Sequence, residues 1–561
     1  MMRGVFPLVK LILRRDRVKL PIWIFAIVLT AVSMPLAMHA TMGSASDLAD
    51  LQQQMSSGSA IISLISGPFQ LINGNADLGS LTLIKAELFT AVLIAFFVGL
   101  LVIRHTRANE ESGASEMILS GEVSRKAPLT AAIFVAVSSL LIIVVLTALG
   151  MYFSVKGISG GWGRGAPTVW NGSWLFALEM GGIGLAFTGI AAIAAQLAGT
   201  SAGANAIFGG IIGMTYISRG IGDVFTKNLN EMNIWSWFSP FGWGEMTRSL
   251  TFANWKYLWI FAIMCPIFMV IGYFLLSKRD LGSGILPARK GRSRASKILR
   301  SKFGLAWHEQ KTIFISWLIG NLILVAVIGG MSNEIQGIYS RSDIMKSYIA
   351  SLGGSTGSLI VKTMLVGMLT YVAAMTLAFA IQCFAKMRSD ESSGRLEILL
   401  STKTSRYFWL AKNVFLTLAC SVLMLGLSGF VVAVSANLSG APEQNIAEFT
   451  FGTMAYFPVM VLAAGIYVLL FGILPRLAGA ICWALFSVFL FLQMFLSLFV
   501  VWLNLPKDFA NFLPLGAFAK IDSDSGTALD WQIFYVVLIS GILLFFVGII
   551  FWRQRDIKTG E

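Results

Sequence analysis

The chain has little with which to face water and less with which to do chemistry. Only 12% of its 561 residues are charged. No Gly-x-x-x-x-Gly-Lys-[Ser/Thr] phosphate loop occurs, which excludes ATP hydrolysis by that route on this chain. The three histidines, His39, His105 and His308, are scattered at neither metal nor nucleophile spacing, and they leave no catalytic or metal-ligand set to single out. The four cysteines, Cys265, Cys383, Cys420 and Cys482, lie in or at the edge of apolar stretches, which argues against a disulfide framework. Residues 39–84 contain no Lys or Arg at all, but they hold Asp47, Asp50 and Asp77.

What fills the chain instead is apolar. A sequence that is 56% hydrophobic with a mean hydropathy of +0.76 cannot bury that surface inside a water-soluble globule. Runs near the roughly 20 residues a bilayer requires occur at 20–38, 86–103, 128–153, 173–198, 203–218, 257–277, 312–330, 363–385, 407–434, 450–473, 477–503 and 533–552. The expected fold is therefore an all-α integral membrane protein of twelve spans, six per half. The first apolar run follows basic-rich residues and is long enough to stay as an anchor, so no cleavable signal peptide is expected.

Lys and Arg outnumber Asp and Glu by 42 to 28, a formal charge of +14. They crowd the N-terminus (Arg14, Arg15, Arg17, Lys19), the middle connection (Arg289, Lys290, Arg292, Arg294) and the C-terminus (Arg553, Arg555, Lys558). By the positive-inside rule these segments face the cytoplasm, so both termini are cytoplasmic. Contact with anionic lipid headgroups, rather than nucleic acid, is what such clusters imply here.

A polar segment occurs twice at an offset of 281 residues. Arg107 to Arg125 and Arg388 to Arg406 align without a gap and share nine identities in nineteen positions. Smaller echoes follow in the same order: Gln196-Leu-Ala-Gly199 and Arg476-Leu-Ala-Gly479, then Phe238-Ser-Pro240-Phe-Gly242 and Phe512-Leu-Pro514-Leu-Gly516, then Arg279-Asp280-Leu281 and Arg555-Asp556-Ile557. Motifs that keep their order and their side of the membrane describe a parallel repeat. The halves run 1–285 and 301–561, joined by a basic cytosolic linker at 286–300. On a helix, Ser112, Glu116 and Ser120 form one stripe, and Ser393, Glu397 and Ser401 form its copy. The expectation is an amphipathic helix of about ten residues that rests its apolar face against the membrane or the bundle and presents Glu and Ser outward.

These motifs, together with Ser239-Pro240-Phe241-Gly242-Trp243 before the sixth span, resemble the fused twelve-span permeases of the ABC-2 type, in particular those described as polyketide-antibiotic exporters of Gram-positive bacteria. The resemblance covers nearly the whole chain. It implies that the segment between spans two and three of each half is a coupling helix seated in a separate ATPase subunit, of which two copies, the same or different, carry the ATP and Mg. Carried over, the ATPase contacts are Glu110, Ser112, Gly113, Glu116, Ser120 and Arg125, with Glu391, Ser393, Gly394, Glu397, Ser401 and Arg406. No cofactor is implied on this chain itself. Leu513 and Ala517 stand where the first half has Ser and Trp, so the two outer elements are not fully equivalent.

Polar residues inside spans usually face a cavity or another helix. Glu179 is the clearest acidic case, and it either pairs with a neighbouring helix or attracts a cationic group of a substrate. By resemblance the path is lined by the second and fifth spans of each half, where Phe486, Phe489, Gln493 and Met494 would give a deformable wall for a small hydrophobic or amphipathic substrate. Gly209, Gly210 and Gly213 would allow close helix approach. Pro240, Gly242, Pro514 and Gly516 suit a short re-entrant element at the outer interface, although aromatic-belt anchoring gives a similar composition. Two other readings stay open: a proton-coupled secondary drug antiporter with parallel halves, and a membrane sensor or immunity subunit that binds an antibiotic without transporting it.

Overall fold

In a computed structural model the chain is helical almost throughout, and ten of the described helices are long and apolar enough to cross a membrane. The described residues are 4–41, 77–158, 160–163, 166–226, 233–286, 294, 296–333, 357–502, 520–522, 526–528 and 531–556. The chain is thus an all-α integral membrane protein. Its one β element among these residues is a small antiparallel pair, Lys520–Asp522 with Gly526–Ala528. The chain divides into two compact units, Met1–Gly291 and Arg292–Glu561.

In the first unit α1 (Val5–Arg15) buries Val5, Leu8, Val9 and Ile12, an i, i+3, i+4, i+7 stripe, and leaves Phe6 and Leu11 exposed. It leads into the first span, α2 (Lys19–Thr41). Helix α3 (Leu78–Thr82) is capped by Asp77, which accepts from the backbone N–H and the hydroxyl of Ser80. Burial pushes the Asp77 carboxyl above its ordinary range, and the Ser80 bonds oppose that shift. One wide turn, Leu83–Glu87, joins α3 to the second span α4 (Leu88–His105). After α5 (Arg107–Glu111) and α6 (Ala114–Leu119) come α7 (Ala127–Val155), α8 (Val169–Leu197) and α9 (Ser201–Phe225). Two short helices, α10 (Ile234–Trp237) and α11 (Pro240–Glu245), precede the last span α12 (Leu258–Lys278). The deeply buried member is α8, which packs on α4, α7 and α12.

The second unit runs through α13 (Lys302–Gly330), α14 (Gly357–Ser392), α15 (Arg395–Leu400), α16 (Arg406–Leu438), α17 (Ile446–Met454), α18 (Phe457–Ile473), α19 (Ala478–Trp502) and α20 (Trp531–Gln554). Ser and Thr caps start several of the spans: Thr168 on Asn171, Thr200 on Gly203, Ser301 on Gly304 and Ser405 on Phe408. The two runs missing from the ten have separate explanations. Helix α9 is a full 25 residues long, but Asn205, Arg219 and Asp223 lower its hydropathy. Helix α19 also has 25 residues, and its apolar part is described only over Ala478–Leu490.

Helices α18 and α20 meet backbone to backbone. A Cβ on Gly541 would lie 2.7 Å from the backbone nitrogen of Leu462, and one on Gly465 would lie 2.3 Å from the Gly541 carbonyl oxygen. In a bilayer, where lipid tails are as apolar as Leu, such close approach supplies the packing that association needs. The glycines expected to do this in α9 do not. A Cβ at Gly209, Gly210 or Gly213 would meet nothing within 4 Å, because α9 turns its Ala204, Phe208, Ile212 and Thr215 stripe inward instead. Gly541→Leu should therefore destabilise the second unit by about 1–3 kcal/mol, the usual overpacking cost, and Gly210→Ala should leave stability unchanged. Thermal unfolding in lipid nanodiscs reads both; equal effects of the two substitutions would contradict the assignment.

Candidate functional site

The repeated polar segment begins where the second span of each unit ends. In the first unit the base of α4 is tied to α1 by Asp16, which is buried and pairs with Arg104 at 2.8 Å and His105 at 2.5 Å. Arg15 adds a bond to Asn109 at 2.8 Å. One turn later Arg107, whose side chain is fully buried, pairs with Glu110 at 2.8 Å. The same carboxylate receives a fork from Arg279, at 2.5 Å on Oε1 and 2.7 Å on Oε2. Arg279 also donates to Gln196 at 2.7 Å, and Arg125 donates to the Arg279 carbonyl. Five side chains from four parts of the unit thus converge on one carboxylate and one guanidinium.

The second unit builds the same clamp. Glu391, with 0% of its side chain exposed, pairs with Arg388 at 3.2 Å and with Arg555 at 2.8 Å. Arg406 donates to the Arg555 carbonyl at 3.1 Å, and the Arg555 guanidinium lies over the rings of Phe471 and Trp552 at 5.0 and 4.8 Å. Of the expected ATPase contacts, then, Glu110, Arg125, Glu391 and Arg406 hold the segment to the end of the last span, Arg125 while itself remaining exposed. The i,i+3 spacing of Arg107 with Glu110 and of Arg388 with Glu391, and the duplicated Arg279-Asp280 and Arg555-Asp556, were the signals that mark this clamp in the sequence.

The segment is not the single amphipathic helix that the stripe predicted. Gly113 and Gly394 adopt the left-handed conformation, φ 75° in both, and break it: in the first unit into the short helices α5 and α6, in the second into the end of the long α14 and the short α15. Ser112 and Ser393 bond back to the carbonyls of Asn109 and Asp390 before each break; Ser120 and Ser401 bond back to Met117 and Ile398 after it. These hydroxyls take up carbonyls left orphaned at helix ends. The outward face carries Ser112, Glu116 and Ser120, matched by Ser393, Glu397 and Ser401, all exposed. Beside each Glu sits an apolar residue that does not pack on the bundle: Met117 is 76% exposed and Ile398 71%. The buried side of the second short helix is held by Ser115 in one unit and Leu396 in the other.

The copies differ in one tether. Glu111 accepts from the backbone and hydroxyl of Ser201, which fastens the first segment to the start of α9. Its counterpart Ser392 bonds only locally, to the Ser389 carbonyl.

Among the path candidates, Glu179 is fully buried and accepts from Thr247 at 2.6 Å. Phe486 and Phe489 line an apolar cleft of about 60 Å³ with Leu377, Ile381, Val459 and Ile466. The side chains of Gln493 and Met494 lie outside the described part, as do Pro514 and Gly516. Pro240 opens α11, and Gly242 fits so closely under α10 that a Cβ would lie 2.6 Å from the Ser236 carbonyl. The indole of Trp243 donates to the Trp237 carbonyl at 2.8 Å, which closes this short double turn.

A multi-pass helical bundle with two equivalently built polar platforms and an apolar cleft has the features of a transport permease. Over nearly its whole length the chain is similar to one: it is 29% identical over 560 residues, 99% of this chain and 95% of the other, to the multidrug efflux system permease protein Rv1217c of Mycobacterium tuberculosis. Residues 299–553 match the family described as the C-terminal domain of the multidrug efflux system permease Rv1217c.

Removing one partner of a buried ion pair typically costs about 3–5 kcal/mol, because the other charge is left uncompensated. Arg555→Met should lower the unfolding temperature of the purified protein accordingly, and Glu391→Gln added to it should recover a large part of the loss. A double variant as unstable as the single one would show that the clamp's charges do not act on each other.

Proposed function

We propose that this chain is the membrane permease subunit of an ATP-driven exporter of the ABC-2 type for hydrophobic or amphipathic compounds such as antibiotics, set in a bacterial cytoplasmic membrane with both termini inside. Separate cytosolic ATPase subunits, one on each repeated segment, bind and hydrolyse ATP with Mg, and this chain does no hydrolysis. The observation that carries the reading is the paired exposed face: a Glu with an apolar neighbour, Glu116 with Met117 and Glu397 with Ile398, raised on a clamped, glycine-broken turn in both units. A solvated helix end has no use for an apolar side chain three-quarters exposed at the same register twice, whereas a protein partner does.

The clamp supplies the coupling. Because Glu110 is fixed to Arg279, a push on the first segment reaches the base of the second span and the end of the sixth together, and the short connection to α7 adds the third. Glu391 and Arg555 do the same in the second unit. Similarity to a multidrug efflux permease supports an apolar, polyspecific cargo, and the Phe486 and Phe489 cleft is the described surface that suits one.

The test is ATPase activity of the complex in lipid. Glu116→Arg combined with Glu397→Arg should abolish both association and the hydrolysis that depends on this chain, and either single reversal should leave a weaker, partial effect. Unchanged hydrolysis in the double variant, or no ATPase that binds the wild-type chain, would refute the proposal and favour proton-driven antiport.

A further inference from the structure

The end of the first unit opposite the repeated segment contains a carboxyl pair, a buried Glu179 and a half-buried Glu87, that the transport reading does not use. Glu179, on α8, is 0% exposed. Its Oε2 accepts from Thr247, but its Oε1 has no hydrogen-bond donor in the structure. The group that faces it is another carboxyl: Glu87, in the turn before α4, is in hydrogen-bonding contact with Glu179, with Ser249 alongside. Gly244 closes the site from above, since a Cβ there would lie 3.3 Å from the same Oε1.

The surroundings neutralise this pair only in part. The described charged groups packed around it are Glu245 and Arg248 after α11, and Arg219 and Asp223 on α9. Arg219 is engaged with Asp223 at 2.8 Å and Glu245 at 3.7 Å. Arg248 attracts Glu87 and Asp223 alike, and among the described residues neither Glu87 nor Glu179 forms an ion pair, so four carboxyls share two guanidiniums. Two carboxylates in contact, one of them fully buried, repel each other when both are ionised; one oxygen must carry a hydrogen for the contact to be attractive.

We infer that Glu87 and Glu179 form a proton-binding site, with Glu87 as the acid that donates to the unpartnered Oε1 of Glu179. The space beside the pair decides against larger ligands. The adjoining cavity, lined by Glu87, Arg219, Glu245, Leu83, Ile183 and Phe241, has a volume of about 10 Å³. That is the lower limit for one water molecule. An organic ammonium does not fit, and no group of three or more carboxyl, His or Cys ligands is arranged for a metal among the described residues. The water-sized space gives the proton a partner to arrive from and leave to. Thr247, which follows α11, donates to Glu179, so the proton ties this segment to α8 and to the start of α4.

Infrared difference spectroscopy of the purified chain in lipid tests this without any transport assay. Wild type at neutral pH should show a carboxylic acid C=O band that shifts in D2O and disappears at high pH. Glu87→Gln should remove that band, since the amide can donate to Glu179 in its place. Glu179→Gln should keep an acid at Glu87 but shift its frequency, because the acceptor changes from carboxylate to amide. Absence of the band in wild type at neutral pH, or a band that neither substitution alters, would overturn the inference.

Discussion

Everything distinctive in this protein hangs on one ion pair made twice: a carboxylate just after the second span gripped by an arginine just after the sixth. Glu110 with Arg279, and Glu391 with Arg555, are buried at the edge of the membrane region where an unpaired charge would be costly. Each pair closes a loop of more than 160 residues, and it fixes the segment between spans two and three as a rigid outcrop of the bundle. The positive φ at Gly113 and Gly394, the serine hydroxyls that finish the short helices, and the exposed Glu and apolar pair all follow from holding that turn in one shape.

The two units use this common device with different interiors. The first places acids and arginines between α4, α8, α9 and α11, where Glu87, Glu179, Asp223 and Glu245 meet Arg219 and Arg248. The second, considered alone, fills its corresponding helices with Met460, Phe384, Tyr467 and Phe471 and opens an apolar cleft beside Phe486 and Phe489. On the two proposals made above, the polar first unit would respond to protonation and the apolar second unit would meet an apolar cargo. The first segment's tether through Glu111 to Ser201, absent at Ser392, makes the mechanical connections unequal as well.

Much of this was legible before any coordinates. Helices at or near the twelve expected positions follow from hydrophobic length alone, because the bilayer permits little else. The duplicated segment was visible because its shared residues are polar and therefore costly to keep without a use. Direction was not legible. The resemblance grouped Glu110 and Arg125 with Glu116 as partner contacts, and only the distant Arg279, 169 residues after Glu110, shows that these two hold the segment to the last span instead. For Met117 and Ile398 the pattern left membrane and bundle both open as supports; the structure excludes the bundle, because the break at glycine leaves both side chains exposed. Glu87 escaped notice because a carboxylate at a span boundary is unremarkable until another is found against it.

The account stands or falls on whether the exposed Met117 and Ile398 positions are where a second protein sits. All four native cysteines are buried, so a single Cys placed at 117 or at 398 is a clean site for cross-linking. With a short bifunctional reagent in membranes that also contain a candidate ABC ATPase subunit, the account predicts a heterodimeric product from each position and none from a Cys at Gly210. A product from Gly210 alone, or from none of the three, would contradict it.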